Sequence, residues 1–288
     1  MKNAFERFLL SIALLALIGT GELSARGDCP LRVGSYNIRM NTPVDGNNMW
    51  NFRKERVKNL ILFHGYDIVG VQEALPLQMD DLRQMPEFAS VGIGRDGENG
   101  GEFSAIFYRT DRIQVLDSGT FWLSQTPEVM SKGWDAQLHR ICTWAKMKDR
   151  KTKKVFYFFN THLDHIGPTA RRESAALLLE RIGQTAGTKY PVFCTGDFNS
   201  QPDAEPIRIM RSGLLDAKTI SEMPPYSPGW SYTGFDVRIP ERLMQRREID
   251  YVFVNNRVRI LKYGVLTDSD GKYFPSDHFP VLVEAILR

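Results

Sequence analysis

Val192-Phe193-Cys194-Thr195-Gly196-Asp197-Phe198-Asn199 is a strand-like run that ends on a carboxylate, with an amide two positions further on. Residues two apart on an extended chain share a face, so Asp197 and Asn199 can point the same way. The arrangement recurs along the chain. Asn37 ends Val33-Gly34-Ser35-Tyr36-Asn37, and Gln72 and Glu73 end Ile68-Val69-Gly70-Val71. His162 ends Phe156-Tyr157-Phe158-Phe159-Asn160-Thr161, with Asp164 two residues on. Asp250 opens Ile249-Asp250-Tyr251-Val252-Phe253, and Asp277-His278 precedes Phe279-Pro280-Val281. One strand-end Asp is ordinarily a turn or cap residue. Six polar strand ends in one chain point instead to a site on loops held by a rigid sheet.

Working outward, apolar runs predict strands at 31–38, 67–72, 89–93, 103–108, 113–121, 140–148, 155–163, 191–196, 249–254, 258–265 and 279–286. Helices are expected at 51–63, 76–84, 169–183 and 203–210. The third follows Pro168 and repeats Ala175, Leu178, Leu179 and Ile182 at helical spacing. Strands outnumber helices and do not alternate with them strictly, which disfavours a Rossmann sheet or a (β/α)8 barrel. Two packed mixed sheets with helices outside fit better. The 288 residues, 42% hydrophobic and 25% charged, exclude a disordered chain and a disulfide-stapled module. With 37 basic and 34 acidic residues, the net charge of +3 is no argument for nucleic acid.

Glu73 and Asp277 are hard oxygen donors suited to Mg²⁺ or Mn²⁺. The absence of thiolates from the set disfavours zinc. Asp197 beside Asn199 suits an attacking water, the carboxylate taking its proton while the amide holds an oxygen. His162 and His278 can donate to a charged phosphate oxygen, and Asp250 can fix the tautomer of His278.

Together Ser35-Tyr36-Asn37-Ile38-Arg39, Val71-Gln72-Glu73, Asn160-Thr161-His162-Leu163, Thr195-Gly196-Asp197-Phe198-Asn199, Ile249-Asp250-Tyr251-Val252 and Ser276-Asp277-His278 resemble the motifs of the endonuclease/exonuclease/phosphatase superfamily, in that family's order. The resemblance implies a DNase-I-like, four-layered α/β sandwich with its site at one edge of the two sheets. It implies phosphoester hydrolysis with Mg²⁺ or Mn²⁺. Carried over, Glu73 is the main metal ligand with Asn37 and Asp277 beside it, and Asp197 positions or deprotonates water. Asn199 and His162 hold phosphate oxygens, and His278, oriented by Asp250, stabilises the transition state. Arg140 opens the strand before that of His162, where related enzymes carry a phosphate-binding basic residue. Asp164 and His165 lie outside the family pattern and are candidates to touch substrate.

The stretch Trp50-Asn51-Phe52-Arg53-Lys54-Glu55-Arg56, followed by residues 67–73, is most similar to the nocturnin/deadenylase branch. That implies a nuclease, 3′–5′ exonuclease-like. The alternative keeps the chemistry and takes a phospholipid, inositol phosphate or sugar phosphate. Trp50, Trp122, Trp134, Trp230, Tyr232 and Phe235 are candidates to stack on bases or sugars, or to close the sandwich edges. Arg242, Arg246 and Arg247 can contact phosphates or form a solvated face. Residues 96–102 read as a mobile loop. Cys142 and Cys194 lie in apolar runs and read as buried thiols.

Met1 to Ala25 reads as a secretory signal: Lys2 and Arg7, an apolar run from Phe8 to Ile18, then Leu23-Ser24-Ala25. The run is short for a membrane span, although an uncleaved anchor is the other reading. The expected domains are therefore the signal and a single domain over residues 30–288. The protein is expected to be exported, periplasmic or secreted, without stable membrane insertion. Its expected partner is a phosphoester substrate, nucleic acid included. Nothing in the sequence points to a protein partner.

Overall fold

The computed structural model describes residues 29–237 and 248–288. The signal reading and the Arg242, Arg246 and Arg247 cluster fall outside them. The elements run β1 (Leu31–Asn37), a 3-10 turn (Pro43–Asn48), α1 (Trp50–Phe63), β2 (Ile68–Ala74), α2 (Pro76–Leu82), β3 (Phe88–Val91), β4 (Phe103–Arg109), β5 (Ile113–Trp122) and β6 (Ile141–Asp149). They continue β7 (Val155–His162), α3 (Pro168–Ala186), β8 (Val192–Asp197), α4 (Glu205–Gly213), β9 (Leu215–Asp216), β10 (Asp250–Val254), β11 (Val258–Val265) and β12 (Val281–Leu287). The expected strands and helices are present. The two-residue β9 is an addition, too short to carry a periodic signal.

Two six-stranded mixed sheets form, in the orders β11-β12-β1-β2-β4-β3 and β5-β6-β7-β8-β10-β9. Each has a parallel pair at its centre, β1 with β2 and β7 with β8, flanked by antiparallel neighbours. The sheets pack face to face, β1 over β8, β2 over β7 and β4 over β6. Alternation along β7 shows why. Phe156 and Phe158 join the core shared by both sheets, with Val33, Ile106 and Phe193. Tyr157 and Phe159 face the other way, with Leu178 and Ile182 of α3 and Met210 of α4. On the opposite flank, Val57 and Ile61 of α1 and Met79 of α2 pack with Tyr36, Val69 and Phe107. The result is four layers: helix, sheet, sheet, helix. Both faces of the central strands are covered, so their sequences read as continuous apolar runs.

Polar side chains bond across the interface between the sheets, Asn160 among them. Asn160 of β7 is wholly buried. Its Nδ2 donates to the backbone oxygens of Val71 and Ala105 in the other sheet, at 2.9 Å each. Its Oδ1 accepts from Gln72 Nε2 at 2.7 Å and Thr195 Oγ1 at 3.0 Å. Gly70 leaves room for this cluster. A Cβ there would lie 2.3 Å from Asn160 Oδ1 and 2.4 Å from Thr195 Oγ1.

At another corner, Arg112 forms a bidentate pair with buried Asp149, at 2.7 and 3.2 Å. It also donates to the backbone oxygens of Cys29 and Pro30, at 3.1 and 3.3 Å. Cys142 and Cys194 are buried free thiols, and Cys29 is half-buried. Among the described residues, no helix is long and apolar enough to cross a membrane.

Asn160→Ala would remove four hydrogen bonds from the buried interface: Gln72 keeps Ser35 and Gly70 and Thr195 keeps the Phe159 carbonyl, while the Val71 and Ala105 carbonyls lose the donor that reaches them from the other sheet, at a cost of about 1–3 kcal/mol each. Urea unfolding should show a loss of about 3 kcal/mol or more, well above that of an exposed Asn→Ala control.

Candidate active site

Topology gathers the polar strand ends on one edge. The parallel pairs place Asn37 beside Gln72 and His162 beside Asp197 at their C-terminal ends. β10 runs antiparallel to β8, so its first residue, Asp250, registers with Asp197. Asp277 and His278 precede β12, which runs antiparallel to β1. A backbone bridge between His278 and Tyr232 pins them, and Thr233 N–H donates to the Asp277 carbonyl at 2.7 Å.

Local backbone then aims the side chains. The β2–β4 register shifts between Val71 and Ala74, a bulge that turns Glu73 out of the ladder at φ +64°. Arg39 (φ +58°) and Asn199 (φ +46°) also hold left-handed backbone. Such conformations are uncommon for residues with a Cβ and persist where surrounding structure over-determines them.

Seven of the expected site residues, Glu73, Arg140, His162, Asp197, Asn199, Asp277 and His278, line a cavity of about 460 Å³, with Asn37, Asp164 and Asp250 bonded behind them. Asn37 Nδ2 donates to Glu73 Oε1 at 2.9 Å and to Asp197 Oδ2 at 3.0 Å, while its Oδ1 accepts from Arg39 N–H at 2.9 Å. The reverse amide orientation would set an oxygen against two carboxylates. Asn37 therefore braces the carboxylates in this geometry and does not offer the oxygen that a metal ligand would. Asp197 Oδ1 accepts from Asn199 N–H at 2.8 Å. Both Asn199 amide hydrogens are engaged, with Leu163 O and His162 Nε2, at 3.0 Å each. Taking hold of a phosphoryl oxygen would exchange one of these bonds. Since His162 accepts at Nε2, its ring proton sits on Nδ1, 3.8 Å from Glu102 Oε2. Burial and then Arg140 hold the His162 pKa well below the ordinary value, so the ring is neutral.

His278 behaves oppositely. Burial disfavours its charge, but Asp250, Asp197 and Asp277 outweigh that and raise it to about 10. Its Nδ1 lies 2.8 Å from Asp250 Oδ2, and its Nε2 lies 3.7 Å from Asp197 Oδ2. Burial and the Asp250 charge push Asp197 up to about 7, a value suited to taking a proton near neutrality. Burial pushes Asp277 up to about 6. Burial also opposes ionisation of Glu73, yet His278, Asn37, the Met40 N–H and Arg39 bring it below the usual carboxylate value.

Four carboxylates line the cavity (Glu73, Glu102, Asp197 and Asp277) against two guanidiniums, Arg39 and Arg140. His278, raised to about 10, adds a third positive charge, and a bound cation would offset the remaining carboxylate charge as an anion enters. The donors are oxygen and imidazole, and ligand atoms of Glu73, His162 and Asp197 lie within 4.8 Å of one another. This set fits Mg²⁺ or Mn²⁺. The group Asp197, Asp250 and His278 is equally compact. There, however, His278 is charged, so its free Nε2 carries a proton and is a donor, with no lone pair for a cation.

Arg140 and Asp164 meet, but not as two substrate contacts. Asp164 is buried and accepts from Arg140 Nε at 3.2 Å and from the N–H groups of Ile166 and Gly167 at 3.0 and 2.8 Å. It lies behind Arg140, outside the cavity lining, and its expected role as a substrate contact is corrected to one of holding Arg140. Arg140 Nη2 donates to His165 Nδ1 at 2.9 Å, and Nη1 is buried with no partner.

The sequence reading missed Arg39 and Glu102. Arg39 stood inside a quoted motif, whereas Glu102 lay in the stretch read as mobile. That stretch is held by backbone bonds from Gly94 N–H to Glu98 O and from Arg95 N–H to Glu102 O. Trp122 Nε1 donates to Arg95 O, and His139 pairs with Asp96. Of the aromatic candidates, only Tyr232 lines the cavity. Trp50 is buried on Asp81.

Comparison with known proteins settles the lineage. The profile of the Endonuclease/Exonuclease/phosphatase family matches residues 34–278. The chain belongs to this family. Among solved relatives in the family, the endonuclease/exonuclease/phosphatase from Bacteroides vulgatus is 38% identical, with a TM-score of 0.83 over 90% of this chain and 100% of that one. A mannosyl-6-phosphatase from Bacteroides thetaiotaomicron is also 38% identical, with a TM-score of 0.83 over 89% of this chain and 100% of that one. Nocturnin from Drosophila melanogaster is 25% identical over 285 residues, covering 82% of this chain and 42% of its own length. Members of the endonuclease/exonuclease/phosphatase family hydrolyse phosphoesters, and the chain is a hydrolase of that class.

The Gly167 and Ile166 N–H bonds and the Arg140 charge overcome burial and lower Asp164 to about 2. A lowered carboxyl adds stability above its unfolded-state pKa and loses it as pH falls through the folded value. Asp164 should thus contribute about 2 kcal/mol at neutral pH, declining from about pH 4 toward pH 2. Asp164→Asn should flatten that part of the curve when urea unfolding is followed between pH 6 and pH 3.

Proposed function

We propose that the protein is a divalent-metal-dependent phosphatase acting on a sugar phosphate, with the site residues in the roles that follow. The compact cavity carries this reading. It has the size of a small-ligand site and offers one aromatic candidate, Tyr232, whereas single-strand nucleic-acid binding commonly stacks successive bases on several aromatic side chains. The 38% identity to a mannosyl-6-phosphatase over nearly the whole fold supports the same class. A second reading, the nuclease, draws on the similarity to nocturnin and on the Trp50–Glu73 pattern.

Glu73 and Asp277, with His162 and Asp197 at hand, would hold the ion, which supplies Lewis-acid charge for the phosphoryl oxygens. Asn37 keeps Glu73 and Asp197 at a fixed spacing. Asp197, braced through Oδ1 by the Asn199 N–H, takes the proton of the attacking water at Oδ2. His278, charged and tied to Asp250, donates through Nε2 to the oxygen on which charge develops. Arg140, fixed by Asp164, binds a phosphoryl oxygen with its unpartnered Nη1.

Phosphate release from hexose 6-phosphates with Mg²⁺ or Mn²⁺, abolished by EDTA, is the expected result. Asp197→Asn should lower kcat about 10³-fold with little change in thermal midpoint. Intact sugar phosphates, with a metal-dependent ladder from labelled single-stranded RNA, would replace this reading with the nuclease.

A further inference from the structure

Arg39 has a backbone conformation that its residue type disfavours, at φ +58°. The surroundings enforce it. Its carbonyl oxygen accepts from Gln78 Nε2 at 2.8 Å and from Arg53 Nη2 at 2.5 Å. Its N–H donates to Asn37 Oδ1. The next residue's N–H donates to Glu73 Oε2 at 3.0 Å. Backbone strain held in place by this many bonds marks a side chain whose direction matters.

That direction is into the cavity. The guanidinium is held as a fork by Asp45, with Nε and Nη2 each 3.0 Å from a carboxylate oxygen. It stops 3.8 Å from Glu73 Oε2 and 3.9 Å from Asp277 Oδ2, near both but hydrogen-bonded to neither. Asp45 takes Nε and Nη2, so Nη1 is the nitrogen turned toward Glu73. A planar cation clamped from behind and stopped short of two carboxylates is placed to receive an oxygen anion between them.

We propose that Arg39 is a substrate-binding residue, donating to a phosphoryl oxygen from the Glu73–Asp277 side, with Asp45 as its positioning residue. This rests on the phosphoesterase reading of the site. Two guanidiniums would then grip the phosphoryl group, and the fixed Arg39 charge would restrain cation binding by Glu73 and Asp277. Its removal therefore has opposite effects on the two ligands.

The test titrates the full protein with inorganic phosphate by calorimetry in the presence of Mn²⁺, and separately with Mn²⁺ by electron paramagnetic resonance. In Arg39→Ala, phosphate affinity should fall about tenfold or more. Mn²⁺ affinity should hold or rise. Asp45→Asn should move phosphate affinity in the same direction by less. Unchanged phosphate affinity in Arg39→Ala, or a parallel loss of Mn²⁺ affinity, overturns the assignment. If the alanine variant does not fold, Arg39→Lys decides. It keeps the charge and loses the fork, so weaker phosphate binding supports the assignment and unaltered binding overturns it. Wild-type protein that hydrolyses no phosphoester would sink the functional reading, while both titrations still decide the place of Arg39.

Discussion

Asn160 is the polar tie on which the site's geometry depends. An apolar interface between two sheets resists separation but is weakly specific about sliding, because dispersion and burial have little direction. Hydrogen bonds have direction. A single buried amide that donates to carbonyls of two strands of the opposite sheet fixes how β7 lies over β2 and β4. It accepts in turn from Gln72 and Thr195, the first one residue from Glu73 and the second two from Asp197. The spacing of two carboxylates on different sheets is thus set from beneath by the same side chain.

Above that tie the site is a problem of charge. Burial raises Asp197 and Asp277, and His278 is raised because it faces three carboxylates. The two acids are raised chiefly by burial and the imidazole chiefly by its acidic neighbours, so both effects come from enclosing ionisable groups together. Neutral His162 and charged His278 both approach Asp197, 3.6 and 3.7 Å from its Oδ2. Their difference comes from neighbours: Arg140 and burial for one, Asp250 for the other.

Much of this was legible in the sequence, since strand ends are where alternation stops and chemistry can begin. Glu73, Asp197, Asp250 and His278 were readable because each closes or opens an apolar run. Asn37 was readable as a site residue, but its part was not. An amide between two carboxylates is a brace or a ligand according to which atom faces them, and only the Arg39 N–H decides that. Asp164 shares its strand-face spacing with His162, yet the chain turns after Leu163 and folds the carboxylate back under Arg140. Glu102 was hidden because Gly-rich acidic segments read as solvent-exposed, and two of the bonds that order residues 94–102 come from Trp122 and His139, remote in sequence.

The Arg112 corner bears on how the molecule can be oriented. β1 begins there, with Cys29 and Pro30 held by Arg112, and its seven residues end at the cavity with Asn37. At roughly 3.3 Å per residue, the two ends of the strand are about 20 Å apart. Chain preceding Cys29 joins the fold at the edge opposite the cavity. Anything gripping the protein by that end holds it like a torch by its handle, with the reactive face pointing away from the point of attachment.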